Sequence, residues 1–318
     1  MILKKLPLQR GGFFCSFLQV TLSVGIIACG MEIFFVNAEN FKLDGGACFG
    51  VVPKSIWSKI YPPDENNMVT FALRELLVKD GDRLILFDTG VGNKQDEKFR
   101  SHFYIDGYDN LVNAIKEHGF SPDDITDVVH THLHFDHCGG TYRKNESNET
   151  VPVFQYASLW CSRRQWNWAN DPNPREKASY LHENLLPMEK SGRLKFIEKE
   201  MSFSENIFLK IVGGHTDGQI IPMIRFMGQT LVYMADFIPT AAHISLSFVA
   251  SYDTRPLLSL EEKQIFLNEA ADQNYLLLFQ HDTLHECCTV HLTEKGVRVR
   301  EKGTFDYVRT KSVGFNGK

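Results

Sequence analysis

The stretch that decides the fold is His130-Thr131-His132-Leu133-His134-Phe135-Asp136-His137-Cys138-Gly139-Gly140. On an extended backbone the side chains of His132, His134 and Asp136 lie on one face. The turn that Gly139-Gly140 permits brings His137 to the same side. Imidazole nitrogens and a carboxylate oxygen are donors that suit zinc, manganese, iron or cobalt. The stretch therefore predicts a metal site, and the apolar residues 125–129 before it predict a short strand that leads into this site.

Three further donors follow downstream, and each stands at the end of an apolar run that predicts a strand. These donors are His215, Asp236 and His281. Functional residues gather at the carboxyl ends of strands in layered α/β folds, so we expect the three to meet the first cluster. One zinc ion takes about four ligands. Seven donors therefore predict two metal ions.

Together with Asp88-Thr89-Gly90 after an earlier strand, this ordered set resembles the metallo-β-lactamase superfamily. The resemblance spans residues 85–281 and implies an α+β fold, a four-layer αββα sandwich with a dinuclear site on one edge. It implies that the first metal is held by His132, His134 and His215, the second by Asp136, His137 and His281, and that Asp236 bridges both. Asp88 is expected to hold a ligand histidine through a hydrogen bond. The pattern has no role for His130, which we interpret as structural.

The chemistry that follows from two adjacent metal ions is hydrolysis. Two Zn²⁺ ions, or Mn, Fe or Co in their place, about 3.5–4 Å apart would share a hydroxide that acts as the nucleophile. Asp136 would take a proton and deliver it to the leaving group. No Gly-x-Ser-x-Gly elbow is present, and this mechanism needs no serine or cysteine nucleophile.

Departures within the superfamily narrow the choice of substrate. Asp236 stands where some zinc β-lactamases use Cys, and His134 stands where the di-iron flavoprotein branch uses Glu. Residues 131–140, and residues 45–53 with Trp57 close behind, most resemble quorum-quenching lactonases and methyl-parathion-hydrolase-like enzymes. We therefore expect a small-molecule ester, foremost an N-acyl-homoserine lactone.

Two alternatives remain open. The best-known lactonases place a Tyr just after the bridging Asp, whereas this chain has Phe237. An aryl ester or an organophosphate triester is therefore the second candidate substrate. A metal-dependent binding or sensor module is the alternative that is not an enzyme, although a complete set of seven donors favours the hydrolase.

Aromatic residues near the motif suggest a substrate wall and a surface for a second copy. The side chains that we expect to contact substrate are Phe49, Trp57, Trp160 and Phe237. Trp166 and Trp168, with arginines beside them, predict a surface on which a homodimer could form.

The amino-acid composition is typical of a soluble globular protein. It predicts no nucleic-acid partner and no stable insertion of the domain into a membrane. Of 318 residues, 43% are hydrophobic and 23% charged, and the net charge is −5. Residues 1–30 carry three positive and no negative charges around an apolar run at 13–28, so residues 31–318, the expected hydrolase domain, carry −8. Two interpretations of the first thirty residues are open. If they are an extension upstream of a true start at Met31, we expect a cytoplasmic protein. If they are an export signal, we expect an exported or lipid-anchored protein.

Periodicity and caps predict the remaining elements. Helices are expected over residues 109–118, 162–169, 175–190 and 259–272, the last with Ser259 as its cap. Strands are expected over residues 69–78, 83–87, 151–156, 194–197, 207–212, 220–226, 230–234, 275–279 and 289–300.

Overall fold

The structure, a computed structural model, describes residues 30–107 and 110–313. The strands in these ranges are β1 (Met31–Asp44), β2 (Met68–Asp80), β3 (Arg83–Phe87), β4 (Asp127–Val129), β5 (Tyr142–Lys144), β6 (Thr150–Pro152), β7 (Ser158–Ser162), β8 (Leu194–Ile197), β9 (Met201–Ser202), β10 (Ile207–Val212), β11 (Gln219–Phe226), β12 (Gln229–Tyr233), β13 (Leu276–Leu278), β14 (Cys287–Thr293) and β15 (Gly296–Gly303). The helices are α1 (Gly45–Phe49), α2 (Lys54–Trp57), α3 (Glu97–His102), α4 (Leu111–Glu117), α5 (Phe135–Cys138), α6 (Arg163–Asn170), α7 (His182–Lys190), α8 (Pro256–Asp272) and α9 (Phe305–Val313).

Most of these strands form two mixed sheets. The first has the order β1-β2-β3-β4-β7-β8, and the second has the order β15-β14-β13-β12-β11-β10-β9. In the first sheet β3, β4, β7 and β8 run parallel, and in the second β12 and β13 run parallel. A parallel pair directs the carboxyl ends of both strands to one edge, which is where a shared site can form.

The two sheets pack face to face, with helices on both outer faces. A buried cluster between them joins Phe87 of the first sheet to Tyr233 and Leu278 of the second. A second cluster packs α4, α6 and α7 on the outer face of the first sheet, and a third packs α8 on the outer face of the second. Burying each large side chain contributes roughly 1.5–3 kcal/mol. This arrangement confirms the predicted αββα sandwich.

The long β1–β2 ribbon joins the two sheets at the site. Ala72 N–H donates to His281 O (3.1 Å) and Arg74 N–H donates to Gln280 O (3.2 Å), so β2 also pairs with the chain after β13. A fourth apolar cluster, which includes Phe41 and Phe71, packs beneath this junction. The ribbon therefore fixes the position of His281 against the first sheet.

Several predicted elements need correction. Residues 151–156 do not form one strand. Thr150–Pro152 (β6) pairs with β5 in a separate two-stranded sheet, and the next strand of the six-stranded sheet is β7, which begins only at Ser158. The expected helix 175–190 begins only at His182, after a loop and a 3-10 turn, Lys177–Ser179. Ser259 lies inside α8, which begins with a proline at its first turn. Residues 289–300 form a hairpin, because the backbone reverses between Thr293 and Gly296.

The predictions for residues 1–29, and for Asp109 in the expected helix 109–118, concern residues outside those that the structure describes. None of the helices in residues 30–107 and 110–313 combines the length and the apolar composition that a membrane span requires.

Candidate metal centre

The seven predicted donors converge at one edge of the sandwich, because each follows a strand. His132 and His134 lie in the turn after β4, and His215, Asp236 and His281 come after β10, β12 and β13. The backbone is extended only as far as His134. Asp136 and His137 lie on the short helix α5, whose first turn closes with two bonds, from His137 N–H and Cys138 N–H to His134 O, both 3.1 Å long. The prediction that Asp136 continues an extended segment was therefore wrong, although its carboxylate still faces the cluster.

The first group of donors brings together three imidazoles and one carboxylate oxygen. His134 Nδ1 lies 3.0 Å from His132 Nε2 and 3.3 Å from His215 Nε2. Asp236 Oδ2 lies 3.2 Å from His215 Nε2 and 3.8 Å from His132 Nε2. Zinc bonds of about 2.0–2.1 Å at tetrahedral angles place neighbouring donors near 3.4 Å. The four atoms therefore have the spacing of a single tetrahedral site.

The second group lies against the first and shares Asp236. Asp236 Oδ1 lies 2.7 Å from His281 Nε2 and 3.5 Å from His137 Nε2. His137 Nε2 lies 3.4 Å from Asp136 Oδ2 and 3.3 Å from His281 Nε2. Because the two oxygens of Asp236 face different groups, one carboxylate can contact two cations at once.

The far nitrogens of these imidazoles contact oxygen atoms, so each ring can turn its near nitrogen toward a bound cation. His137 Nδ1 lies 3.0 Å from Asp88 Oδ2, and His215 Nδ1 lies 2.9 Å from Asp253 Oδ1. His281 Nδ1 lies 2.8 Å from Ala72 O, and His134 Nε2 lies 2.9 Å from Glu176 Oε1. An acceptor at one ring nitrogen fixes the tautomer and directs the lone pair of the other nitrogen inward.

Charge in the cluster also favours cations. Burial on its own would lower the pKa of His215, but Asp236 and Asp253 raise it to about 10. Burial likewise opposes charge on His137, but Asp136, Asp236 and Asp88 raise its pKa well above the ordinary value. The carboxylates therefore attract positive charge into the cluster. Both oxygens of Asp236 face imidazole nitrogens, at 3.2 Å from His215 and 2.7 Å from His281. Buried carboxylates among several imidazoles form a donor set that fits divalent cations.

Asp88 supports the centre through two histidines. Its Oδ2 accepts from the Thr131 hydroxyl (2.8 Å), whose oxygen lies 3.1 Å from His132 Nδ1, and the same Oδ2 faces His137. Its Oδ1 accepts from Thr131 N–H at 2.7 Å. Asp88 has a positive φ of 62°, a conformation that asparagine and aspartate adopt more readily than other residues with a side chain.

Asp88→Asn is expected to weaken binding of zinc by about 10–100-fold, the usual cost of losing a group that orients a metal ligand. Asn keeps the shape and tolerates the positive φ, but its NH₂ must face either the Thr131 N–H or the His137 ring nitrogen. Competition with a chromophoric chelator measures the affinity. Asp127→Asn is the matched control, because this carboxylate binds Arg83 and Trp160 at the far end of β4. Equal affinities for Asp88→Asn and the unaltered protein would contradict the assigned role.

The glycine pair after α5 packs directly on the loop that carries Asp88. A Cβ added at Gly140 would lie 2.1 Å from Thr89 O, and one at Gly139 would lie 2.0 Å from Val91 O. Thr89 cannot easily retreat, because its N–H donates to His137 O at 2.8 Å. Only glycine allows this approach.

Gly140→Ala is expected to lower the free energy of unfolding by about 2–3 kcal/mol, because the added methyl group overpacks the turn. Gly228→Ala is the control, because Gly228 has a φ of 78° but nothing within 4 Å of an added Cβ. For Gly228→Ala the expected loss of unfolding free energy is therefore only that of placing alanine in a left-handed backbone conformation, roughly 1–2 kcal/mol. Urea unfolding compares the two variants, and a smaller loss at Gly140 than at Gly228 would show that the close approach is not rigid.

The centre opens into a cavity of about 170 Å³. Its wall is largely aromatic and aliphatic, with a few polar groups near the metal donors. The side chains beyond the donors that form it are Phe41, Leu43, Phe71, Phe103, Phe135, Arg175, Glu176, Ala178, Ser179 and Tyr252. An apolar wall with few polar groups is typical of sites for small organic ligands.

None of the four side chains predicted to contact substrate lines this cavity. Phe49 and Trp57 are fully buried and stack on each other, with ring centroids 4.9 Å apart. Phe237 packs against Phe266 of α8 at 5.4 Å. Trp160 donates its indole N–H to Asp127 and packs on Phe203. These four residues stabilise the core, and the prediction is corrected.

Other residues of the site have no local signal in the sequence. Asp253 and Glu176 hold His215 and His134 but come from loops, so only the folded chain brings them to the centre. Gln219 is fully buried, and with its amide oxygen turned toward Asp236 it accepts from the backbone N–H of Asp236 and of Phe237, both at 3.1 Å. His130 is buried and lies 3.2 Å from the Thr141 hydroxyl, outside both groups of donors.

Comparison with known proteins places the chain in a family. The metallo-beta-lactamase superfamily matches residues 76–143. N-acyl homoserine lactonase AiiA of Bacillus thuringiensis subsp. kurstaki is 26% identical over 197 residues, which cover 59% of this chain and 67% of that protein.

Solved structures extend the likeness over most of the chain. The crystal structure of a probable metal-dependent hydrolase from Staphylococcus aureus is 30% identical, covers 86% of this chain and 96% of that one, and has a TM-score of 0.78. AidC, a dizinc quorum-quenching lactonase in complex with a product, is 22% identical, covers 85% and 94% of the two chains, and has a TM-score of 0.71. The chain belongs to the metallo-beta-lactamase superfamily, and this membership supports a metal-dependent hydrolase.

Proposed function

We propose that the protein is a dinuclear zinc hydrolase that opens the ring of a small lactone, foremost an N-acyl-homoserine lactone. The observation that carries this proposal is the pair of donor groups that share Asp236 beneath an apolar cavity. His132, His134, His215 and Asp236 Oδ2 would hold the first ion. Asp136, His137 and His281, with Asp236 Oδ1 beside them, would hold the second. Mn, Fe or Co could replace zinc, because nitrogen and oxygen donors accept all four metals.

Two such ions, when bound, lower the pKa of a water molecule toward neutrality and polarise the oxygen of the scissile bond. The chain supplies orientation and proton transfer. Asp136 lies on the cavity wall and its carboxylate belongs to the second group, so it can accept a proton near the attacked bond and deliver it to the leaving oxygen. Burial opposes the charged forms of the Asp136 and Asp236 carboxylates, but the facing imidazoles outweigh it and lower the pKa of both.

The wall of the cavity favours an uncharged ester with an apolar acyl part. Phe41, Phe71 and Phe135 present aromatic surface beside the donors, and Phe103 extends this surface. Arg175, Glu176 and Ser179 provide hydrogen-bonding groups on the same wall. An acyl lactone has the matching pattern, with a polar ring and amide at one end and an alkyl chain at the other. The lactonases among the relatives support the same substrate class.

The test is a substrate panel for zinc-loaded protein, in which proton release and product analysis report ring opening of N-acyl-homoserine lactones. We expect lactones to be hydrolysed with the highest kcat/KM. If p-nitrophenyl esters or aryl phosphate triesters are hydrolysed and lactones are not, the lactonase proposal is wrong and the protein is an aryl-ester or triester hydrolase. Loss of every activity in protein that still binds two zinc ions would favour a binding or sensor module instead.

A further inference from the structure

The loop between α6 and α7, residues 171–181, lies over the metal centre and forms part of the cavity wall. We call it the cavity loop. Arg175, Glu176, Ala178 and Ser179 of this loop face the cavity. Backbone hydrogen bonds within the loop shape it. Glu176 N–H and Lys177 N–H donate to Asn173 O, Ser179 N–H donates to Glu176 O, and Tyr180 N–H donates to Lys177 O. The loop therefore determines how the substrate meets the metal donors.

Glu176 is the residue through which the cavity loop contacts the metal centre. Its Oε1 faces His134 Nε2 at 2.9 Å and accepts from the Tyr180 hydroxyl at 2.6 Å. Its Oε2 accepts from the indole N–H of Trp168 at 2.6 Å and from the amide of Asn173 at 3.3 Å. Only 4% of this residue is exposed. Four donors thus meet on one carboxylate, and only one of them belongs to the metal centre.

Asp253 provides a natural comparison. It holds His215 Nδ1 at 2.9 Å, just as Glu176 holds His134, and both histidines belong to the first group of donors. Asp253 is nearly as buried as Glu176, but it does not line the cavity. Each of the two carboxylates therefore orients one metal-ligand histidine, but only Glu176 of this pair also forms part of the cavity wall.

We propose that Glu176 is a positioning residue that couples the first metal site to the substrate cavity, because the same carboxylate orients His134 and fixes the cavity loop. With a cation bound at His134 Nδ1, the ring would carry its proton on Nε2 and donate it to Glu176, which would strengthen that contact. Binding of the metal then orders the wall that contacts substrate. By the reciprocity of linked equilibria, an ordered loop also favours metal binding.

The test compares Glu176→Gln with Asp253→Asn in the full chain. Glutamine has one acceptor oxygen, so its NH₂ must face either the His134 and Tyr180 side or the Trp168 and Asn173 side. We expect both variants to bind zinc about 10–100-fold more weakly in chelator competition. With zinc restored to saturation, Glu176→Gln should raise KM for the lactone about tenfold or more, whereas Asp253→Asn should leave KM within about twofold. A shared rise in KM, or unchanged zinc affinity in Glu176→Gln, would overturn the proposal.

Hydrogen exchange gives a readout that does not depend on activity, and its first comparison needs only the unaltered protein. In the unaltered protein, removal of zinc should accelerate exchange of the Lys177 and Ser179 amides about tenfold more than exchange of amides in β11. Glu176→Gln with zinc bound should show the same acceleration, and Asp253→Asn with zinc bound should not. Equal acceleration in the cavity loop and in β11 would refute the coupling. The KM comparison rests on the proposed function, but zinc affinity and exchange do not, so failure of the lactone assay would leave them decisive.

Discussion

Asp236→Ala is expected to lower bound zinc from about two ions per chain to below one, and to reduce hydrolysis by more than about 10³-fold, since both ions contribute to the chemistry. The reason is that its two oxygens serve different groups, at 3.2 Å from His215 Nε2 and 2.7 Å from His281 Nε2. Removal of the side chain takes one anionic donor from each group. Asp136 then remains as the sole carboxylate donor in the two groups.

The measurement is metal content after dialysis against a weak chelator, together with kcat/KM for the best lactone. His134→Ala is expected to empty the first group while the second keeps all its donors, so it should retain more metal than Asp236→Ala. Asp306→Ala is the control, because that carboxylate lies on α9 with 89% of its side chain exposed. Two fully occupied sites in Asp236→Ala would refute the bridging role.

That the seven candidate donors would meet could be expected from the sequence, because their order follows the order of the strands. Residues 130–140 place four donors within a few residues, and His215, Asp236 and His281 each follow an apolar strand whose end faces the same edge. Burial of these strands is encoded locally in their composition, so the positions of the donors could be predicted. The residues that orient them are different. Asp253 and Glu176 lie in irregular loops, and nothing in their neighbourhood indicates a contact with His215 or His134.

The cavity was predicted poorly for a physical reason. Aromatic side chains stabilise cores and line ligand sites alike, and composition does not distinguish the two uses. Phe49 and Trp57 stack beneath the site, whereas Phe41 and Phe71 reach the cavity from the β1–β2 ribbon. The ribbon reaches the site because β2 pairs with the chain after β13, a contact between residues about 200 positions apart. Local patterns carry no information about such a pairing.

Removal of both metal ions is expected to lower the melting temperature by at least about 15 °C. A ligand present at about a thousand times its Kd adds about 4 kcal/mol to the free energy of unfolding, and two sites add about twice as much. In a domain of this size each kcal/mol shifts the melting temperature by about 2–4 °C.

The measurement is thermal unfolding of chelator-treated protein across a zinc titration. Stabilisation by mass action requires the melting temperature to rise with the logarithm of free zinc above the Kd. Asp236→Ala should begin near the melting temperature of the metal-free protein and respond much less to zinc. If neither chelator nor zinc changes the melting temperature, the fold holds the seven donors together without binding metal. A zinc response of equal size in Asp236→Ala would mean that the stabilising ions bind elsewhere on the chain.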